Sequence, residues 1–94
     1  MGAFENAVKI INSKPAAGAK PPKIDIKKKL MFYALYKQAT EGDNKGAEPS
    51  KMDMANHYKW RAWNQCKGMS KEDAQKKYVE LAKSVLPQDL QAKL

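Results

Sequence analysis

Apolar residues recur at helical spacing in four separate segments of the chain. In the first, about residues 3–12, Phe4, Val8 and Ile11 lie three or four positions apart and form one stripe on a helix. Three more helices are predicted at about residues 25–40, from Ser50 or Asp53 to about 67, and at about 70–86. No segment alternates apolar and polar residues as a strand does. The pattern therefore predicts an all-α fold.

Residues that start, cap or stop helices separate these segments. The first connection, about residues 15–24, is rich in Pro, Ala and Gly and is predicted to be an unusually long loop. Gly42 is the expected C-cap of the second helix, Ser70 the expected N-cap of the fourth, and Pro87 the residue that stops it. A chain of 94 residues is expected to form a single domain over its whole length.

The second helix has apolar residues on two faces. One side of the helix carries Ile26, Leu30, Tyr33 and Lys37. A broad face nearer the other side carries Phe32, Leu35, Tyr36 and Ala39. One face is enough to pack the helix on a bundle. The other could line a groove for an amphipathic anion, which would end at a tyrosine hydroxyl and a lysine ammonium. The alternative is a second packing contact, with Lys37 extending to water.

The chain carries a net charge of +8, which indicates either an anionic partner or a solvated basic surface. Arg61 is the only arginine, so most cations are point charges unsuited to reading base edges. A nucleic-acid binder would use the lysines with Trp60 and Trp63. A peripheral membrane protein would place the run 27–29 on anionic lipid. Core packing is the alternative role for the two tryptophans and for Tyr78.

Catalytic and metal-binding residues are not indicated. Cys66 is the single cysteine, which excludes an internal disulfide, and together with His57 it supplies too few ligands for a metal site. Neither a carboxylate pair nor a glycine-rich phosphate loop is present. No run of about 18 apolar residues and no secretory leader is found, so a cytoplasmic protein is expected. We therefore expect neither an enzyme nor a bound cofactor.

The segment 30–43, LMFYALYKQATEGD, resembles the acyl-CoA-binding protein family, also called diazepam-binding inhibitor. The similarity lies in the run Tyr-small-x-Tyr-Lys-Gln-Ala-Thr-x-Gly. Two further blocks, KWRAWN at 59–64 and SKEDA at 70–74, followed by Tyr78, arrive in the order and spacing of that family. The resemblance is close over residues 30–86 and looser near the N-terminus.

The resemblance implies a four-helix bundle in an up-down-down-up arrangement. It also implies a non-catalytic intracellular carrier of medium- to long-chain fatty acyl-CoA, which buffers the acyl-CoA pool and delivers it to lipid-metabolising enzymes. The implied partners are long-chain acyl-CoA and, transiently, acyl-CoA-using enzymes and membranes. No nucleic acid is implied, and the protein is expected to be a monomer.

The resemblance also implies which residues contact the ligand. Tyr33 and Lys37 match the ligand-contacting tyrosine and lysine of the second helix, and Lys59 matches the phosphate-binding lysine of the third. Tyr78 matches the tyrosine of the fourth helix, and Lys9 is the nearest counterpart of a basic residue at the adenine-phosphate end. The implied set is Lys9, Leu30, Tyr33, Ala34, Leu35, Tyr36, Lys37, Lys59 and Tyr78.

Overall fold

The computed structural model describes residues 2–12, 24–86, 88–92 and 94. Its helices are α1 (Ala3–Asn12), α2 (Ile26–Glu41), α3 (Met54–Asn64), α4 (Lys71–Val85) and the short α5 (Gln88–Gln91). These residues contain no strand, which confirms the predicted all-α fold. The predicted long connection lies outside the described residues except for Ile24, and so does Pro87. Of the helices described, none is long and apolar enough to cross a membrane.

The helix ends follow the local sequence. The Asp25 carboxylate accepts a hydrogen bond of 2.8 Å from the Lys28 N–H, and the Ser70 hydroxyl accepts one of 3.1 Å from the Asp73 N–H. Each bond satisfies a backbone donor that the first turn of a helix leaves unpaired. Gly42 ends α2 at a φ of 82°, a conformation that favours glycine. The predicted roles of Gly42 and Ser70 are therefore confirmed.

Three aromatic rings join α1, α2 and α4. The Tyr78 ring meets Phe4 edge-on at 5.3 Å and Phe32 at 5.0 Å between ring centroids. All three side chains are buried. Edge-to-face pairs of this kind add about 0.5–1.5 kcal/mol each to the free energy of burial. This aromatic cluster fixes α1 and α4 on one side of α2.

A buried amide joins the end of α2 to the connection between α3 and α4. Gln38 Nε2 donates hydrogen bonds of 2.8 Å to both Asp43 Oδ1 and the Met69 carbonyl. The same carboxylate oxygen of Asp43 accepts a bond of 2.9 Å from the Gly68 N–H. Gln38 has no exposed surface. We refer to these four residues as the Gln38 network.

The two tryptophans of α3 hold the loop that precedes the helix. Trp63 Nε1 donates to the Gly42 carbonyl at 2.9 Å, and Trp60 Nε1 donates to the Gly46 carbonyl at 3.0 Å. Both carbonyls belong to the loop after α2. The tryptophans therefore have a structural role through hydrogen bonds to the loop, whereas neither belongs to the buried core cluster.

Truncation of Phe4 should destabilise the bundle. Phe4→Ala removes the ring that contacts Tyr78, so we expect the free energy of unfolding to fall by about 3 kcal/mol. The control is Ile26→Ala, because Ile26 is 77% exposed and its truncation should change stability by less than about 0.5 kcal/mol. Urea denaturation followed by circular dichroism measures both. Equal midpoints for the two variants would contradict the packing described.

Asp43 should make stability depend on acid pH. The hydrogen bond from the Gly68 N–H, followed by that from the Gln38 amide, lowers the pKa of Asp43. Its stabilising contribution is therefore present above the unfolded pKa of about 4 and is lost as pH falls through the lower folded pKa. We expect Asp43→Asn to lower the melting temperature at neutral pH, with the difference from the wild type shrinking in acid.

The matched control is Glu80→Gln, which removes an exposed carboxylate from the middle of α4. Its effect on the melting temperature at neutral pH should be much smaller than that of Asp43→Asn. A difference for Asp43→Asn that is as large in acid as at neutral pH would exclude the proposed ionic contribution.

Candidate ligand-binding site

One side of α2 borders a cleft of about 540 Å³, closed by α1 and α4. Positions 29, 32, 33 and 36 of α2 follow helical spacing, so their side chains share the face that borders the cleft. Its size lies within the range of about 300–1,000 Å³ typical of small-molecule sites. The lining residues are Val8, Ile11, Asn12, Ile24, Lys29, Phe32, Tyr33, Tyr36 and Tyr78.

The tyrosines give the cleft aromatic walls and polar hydroxyl groups. Tyr36 is partly exposed and stacks on Phe4 with the ring planes 23° apart. Burial, and secondly the nearby Tyr36, raises the pKa of Tyr78 to about 12. The Tyr78 phenol is therefore protonated at neutral pH and can donate a hydrogen bond to a ligand.

Two lysine ammonium groups flank the ring of Tyr33. Lys37 Nζ lies 5.9 Å from the ring centroid, and Lys59 Nζ, which comes from α3, lies 5.5 Å from it. Lys37 Nζ also lies 5.6 Å from the ring of Trp63. Ammonium groups at these distances are attracted to the negative face of the ring. The edge of the cleft next to α3 therefore presents two positive charges on an aromatic surface, an arrangement suited to a phosphate.

Lys37 is held by a carboxylate on its own helix. Its ammonium donates to Glu41 Oε2 at 2.7 Å, one turn further along α2. This hydrogen bond is the main cause of the raised pKa of Lys37. Lys59 forms no ion pair with any residue that the structure describes. An anion at the cleft would therefore meet a free ammonium at Lys59 and compete with Glu41 for Lys37.

The structure brings together five of the residues that the resemblance implied. They are Tyr33, Tyr36 and Tyr78, which line the cleft, and Lys37 and Lys59, which flank Tyr33. Three helices supply them, so their proximity depends on how α2 packs against α3 and α4.

The structure does not bring the other four residues to this cleft. Leu30, Ala34 and Leu35 line a separate groove on the opposite side of α2. Lys9 is exposed on α1, next to Val8, but does not itself line the cleft. Leu30 and Tyr33 are neighbours on α2, but they border different cavities.

Several residues at the cleft were not identified from the sequence. Val8 and Ile11 were assigned only to the packing stripe of the first helix, and Ile24 to the loop. Glu41 could have been found, because its spacing of four residues from Lys37 is the spacing at which helical ion pairs form. The sequence therefore predicted the polar part of the site more fully than its apolar walls.

His57 and Cys66 form separate contacts. His57 Nε2 lies 2.7 Å from Glu48 Oε2, whereas the Cys66 thiol lies 3.7 Å from the Ala62 carbonyl. Burial raises the pKa of the Cys66 thiol, which disfavours the reactive thiolate. Among the residues described, no group of three His, Cys, Asp or Glu could hold a metal ion.

Comparison with known proteins agrees with this geometry. The family model described as "Acyl CoA binding protein" matches residues 1–82. The chain is 42% identical over 83 residues to the acyl-CoA-binding protein of Saccharomyces cerevisiae, covering 88% of each chain. It is 45% identical over 83 residues to acyl-CoA-binding domain-containing protein 5 of Bos taurus, of which it covers 15%.

Solved structures show the same fold. The acyl-CoA-binding protein of Moniliophthora perniciosa superposes with a TM-score of 0.80 at 34% identity, covering 99% of this chain and 92% of that one. Acyl-CoA-binding protein 2 of Oryza sativa gives 0.73 at 32% identity, covering 99% of each. The chain belongs to the acyl-CoA-binding protein family, a family of binding proteins, and has its four-helix bundle fold.

Proposed function

We propose that this chain binds medium- to long-chain fatty acyl-CoA in the cleft and carries it in the cytoplasm without chemical change. The observation that carries the proposal is the Tyr33 ring flanked by the ammonium groups of Lys37 and Lys59 at the edge of a largely apolar cleft. Acyl-CoA matches this arrangement of charged edge and apolar walls, because it joins a phosphorylated nucleotide to an aliphatic tail.

The nucleotide end is assigned to the lysines and tyrosines. Lys37 and Lys59 would contact the phosphates, and each charge-assisted hydrogen bond contributes about 1.5–3 kcal/mol. The partly exposed ring of Tyr36 offers a surface on which adenine can stack. These groups orient the ligand at the open edge of the cleft.

The aliphatic tail is assigned to the apolar walls. Val8, Ile11 and Ile24 line the cleft beside Phe32. Each buried methylene contributes about 0.8 kcal/mol, so ten of them contribute about 8 kcal/mol before the cost of ordering the chain. The tail is therefore the larger source of affinity, and free CoA should bind much more weakly than its acyl ester.

The carrier role extends the binding proposal. A monomer that shields the thioester and the tail would lower free acyl-CoA and deliver it through transient contacts with enzymes and membranes. The other residues that the resemblance implies do not line the cleft, and their contact with the ligand stays a prediction. They are Lys9, Leu30, Ala34 and Leu35.

Replacement of either flanking lysine should weaken acyl-CoA binding. We expect Lys37→Ala and Lys59→Ala each to raise the Kd for palmitoyl-CoA about tenfold or more, because each removes a charge-assisted contact. Isothermal titration calorimetry with palmitoyl-CoA and with free CoA measures this. Lys76→Ala is the control, since Lys76 is exposed on α4 and does not line the cleft.

Unchanged affinity in both variants would refute the assigned site. Binding of DNA or RNA that is strongly salt-dependent and indifferent to palmitoyl-CoA would instead support the nucleic-acid alternative.

Removal of the Glu41 carboxylate should tighten binding. Glu41→Gln frees the Lys37 ammonium from its ion pair, so a phosphate no longer competes with a carboxylate. Exposed pairs of this kind contribute up to about 1 kcal/mol, which sets the expected gain in affinity at about two- to fivefold. The same titration, repeated at high salt, should show the difference from the wild type shrinking. A weaker affinity in Glu41→Gln would mean that Glu41 itself positions the ligand.

A further inference from the structure

The first half of α3, which carries Lys59, buries almost none of its side chains. From residue 51 to residue 59 every residue is exposed except His57, which is 8% exposed. His57 is also the one buried residue of α3, a helix that the structure describes in full. Apolar burial is the usual source of helix stability in a bundle. The first half of α3 therefore depends on a polar side chain for its place in the bundle.

The first turn of α3 also lacks the side-chain cap that α2 and α4 have. Asp53 precedes the helix, but its side chain accepts no hydrogen bond from the backbone of that turn. Asp25 and Ser70 do accept such a bond at the starts of α2 and α4. A cap of this kind satisfies a backbone donor and stabilises the end of a helix. The start of α3 is therefore held mainly by groups that contact it from outside the helix.

Glu48 supplies such a contact from the loop that precedes α3. His57 Nε2 lies 2.7 Å from Glu48 Oε2. An ionised carboxylate only accepts hydrogen bonds, so the ring nitrogen is the donor. The Glu48 side chain is half exposed, whereas the imidazole is buried. Loss of the carboxylate would leave a buried donor unpaired, which is costly.

A second set of bonds attaches the same loop to the middle of α3. The side-chain nitrogen of Asn44 donates to the Trp60 carbonyl at 3.3 Å, and its side-chain oxygen accepts from the Gly46 N–H at 2.9 Å. Trp60 Nε1 donates to the Gly46 carbonyl in turn. Asn44 is buried, so these bonds are shielded from water. The loop is therefore held in place two residues before Glu48.

Lys59 lies between the two attachments, since His57 precedes it and Trp60 follows it. Its ammonium is 5.5 Å from the centroid of the Tyr33 ring. Without the bond from His57, the helix would be attached to the loop only from Trp60 onwards. A helix end that is neither capped nor packed frays. The position of Lys59 therefore depends on the bond that His57 makes.

We infer that Glu48 is a positioning residue, which keeps Lys59 at the edge of the cleft by holding the first half of α3 through His57. Glu48 does not itself line the cleft. The inference rests on the proposed binding of acyl-CoA, because it assigns the support of one of the two phosphate contacts. The other contact, Lys37, belongs to α2 and does not depend on Glu48.

Removal of the Glu48 carboxylate should weaken acyl-CoA binding. We expect Glu48→Ala to raise the Kd for palmitoyl-CoA about fivefold in calorimetric titration, because Lys59 is no longer held at the cleft. Glu48→Gln should stay within about twofold of the wild type, since its amide oxygen accepts the same bond from His57. The matched control is Glu72→Ala, which makes the same change at an exposed position of α4 away from the cleft and should leave the Kd unchanged.

A double-mutant cycle tests whether Glu48 acts through Lys59. In a Lys59→Ala background, Glu48→Ala should change the Kd by less than about twofold, because the contact is already lost. In a Lys37→Ala background, the effect of about fivefold should remain. Equal effects in the two backgrounds would mean that Glu48 supports the fold in general, and would overturn the inference.

Hydrogen exchange without ligand separates this inference from the proposed function. In Glu48→Ala, the backbone amides of residues 57–60 should exchange about tenfold faster or more, whereas those of α4 should keep their rates. Unchanged exchange, or an unchanged Kd for palmitoyl-CoA, would overturn the inference. Tighter binding in both Glu48→Ala and Glu48→Gln would also overturn it, because the carboxylate would then only repel the phosphates. If the wild type does not bind palmitoyl-CoA while these amides exchange faster in Glu48→Ala, the proposed function fails and the support of α3 by Glu48 stands.

Discussion

The geometry of the candidate site depends on one buried amide. Gln38 has no exposed surface, and its side-chain nitrogen donates to both Asp43 and the Met69 carbonyl. Leaving a buried amide donor unpaired costs about 1–3 kcal/mol, so the C-terminal end of α2 is strongly held against the connection between α3 and α4. Tyr33 and Lys37 lie within the two turns before Gln38 on the same rigid helix. The bonds of Gln38 therefore help to hold this end of α2, which carries both residues, beside the segment that follows α3.

This arrangement explains why neighbouring residues of the same motif have different roles. Adjacent helical residues point about 100° apart, so Lys37 extends towards Tyr33 while Gln38 turns into the core. Gly42 then ends the helix at a positive φ, which brings the Asp43 carboxylate back within reach of the Gln38 amide and the Gly68 N–H. The motif thus places a proposed ligand contact next to the residues that hold it in position.

The sequence predicted those features that local physics determines. Helix starts and ends were predictable because Ser70 and Gly42 act on their own backbone neighbours, and the cationic residues of the site followed from the family motif. That Leu30 and Tyr33 border different cavities was not predicted, because α2 is apolar on two sides and its own sequence does not say which helix packs where. Only tertiary packing, with α1 and α4 on one side and α3 and α4 on the other, separates the cleft from the groove.

In the proposed binding mode, the two halves of the cleft contribute differently to the affinity. A phosphate at Lys37 must replace the Glu41 carboxylate, an exposed pair that contributes up to about 1 kcal/mol, and it gains a contact of about 1.5–3 kcal/mol in return. The net gain at this lysine is therefore modest. Burial of ten methylenes against walls such as Val8 and Ile11 is worth several times more. Apolar area therefore sets how tightly an amphiphile binds, whereas the two ammonium groups on Tyr33 decide that its anionic end stays at the open edge. If the proposed assignment holds, a ligand that lacks either half loses either the affinity or the orientation, and we expect the cleft to select an acyl ester of a phosphorylated carrier.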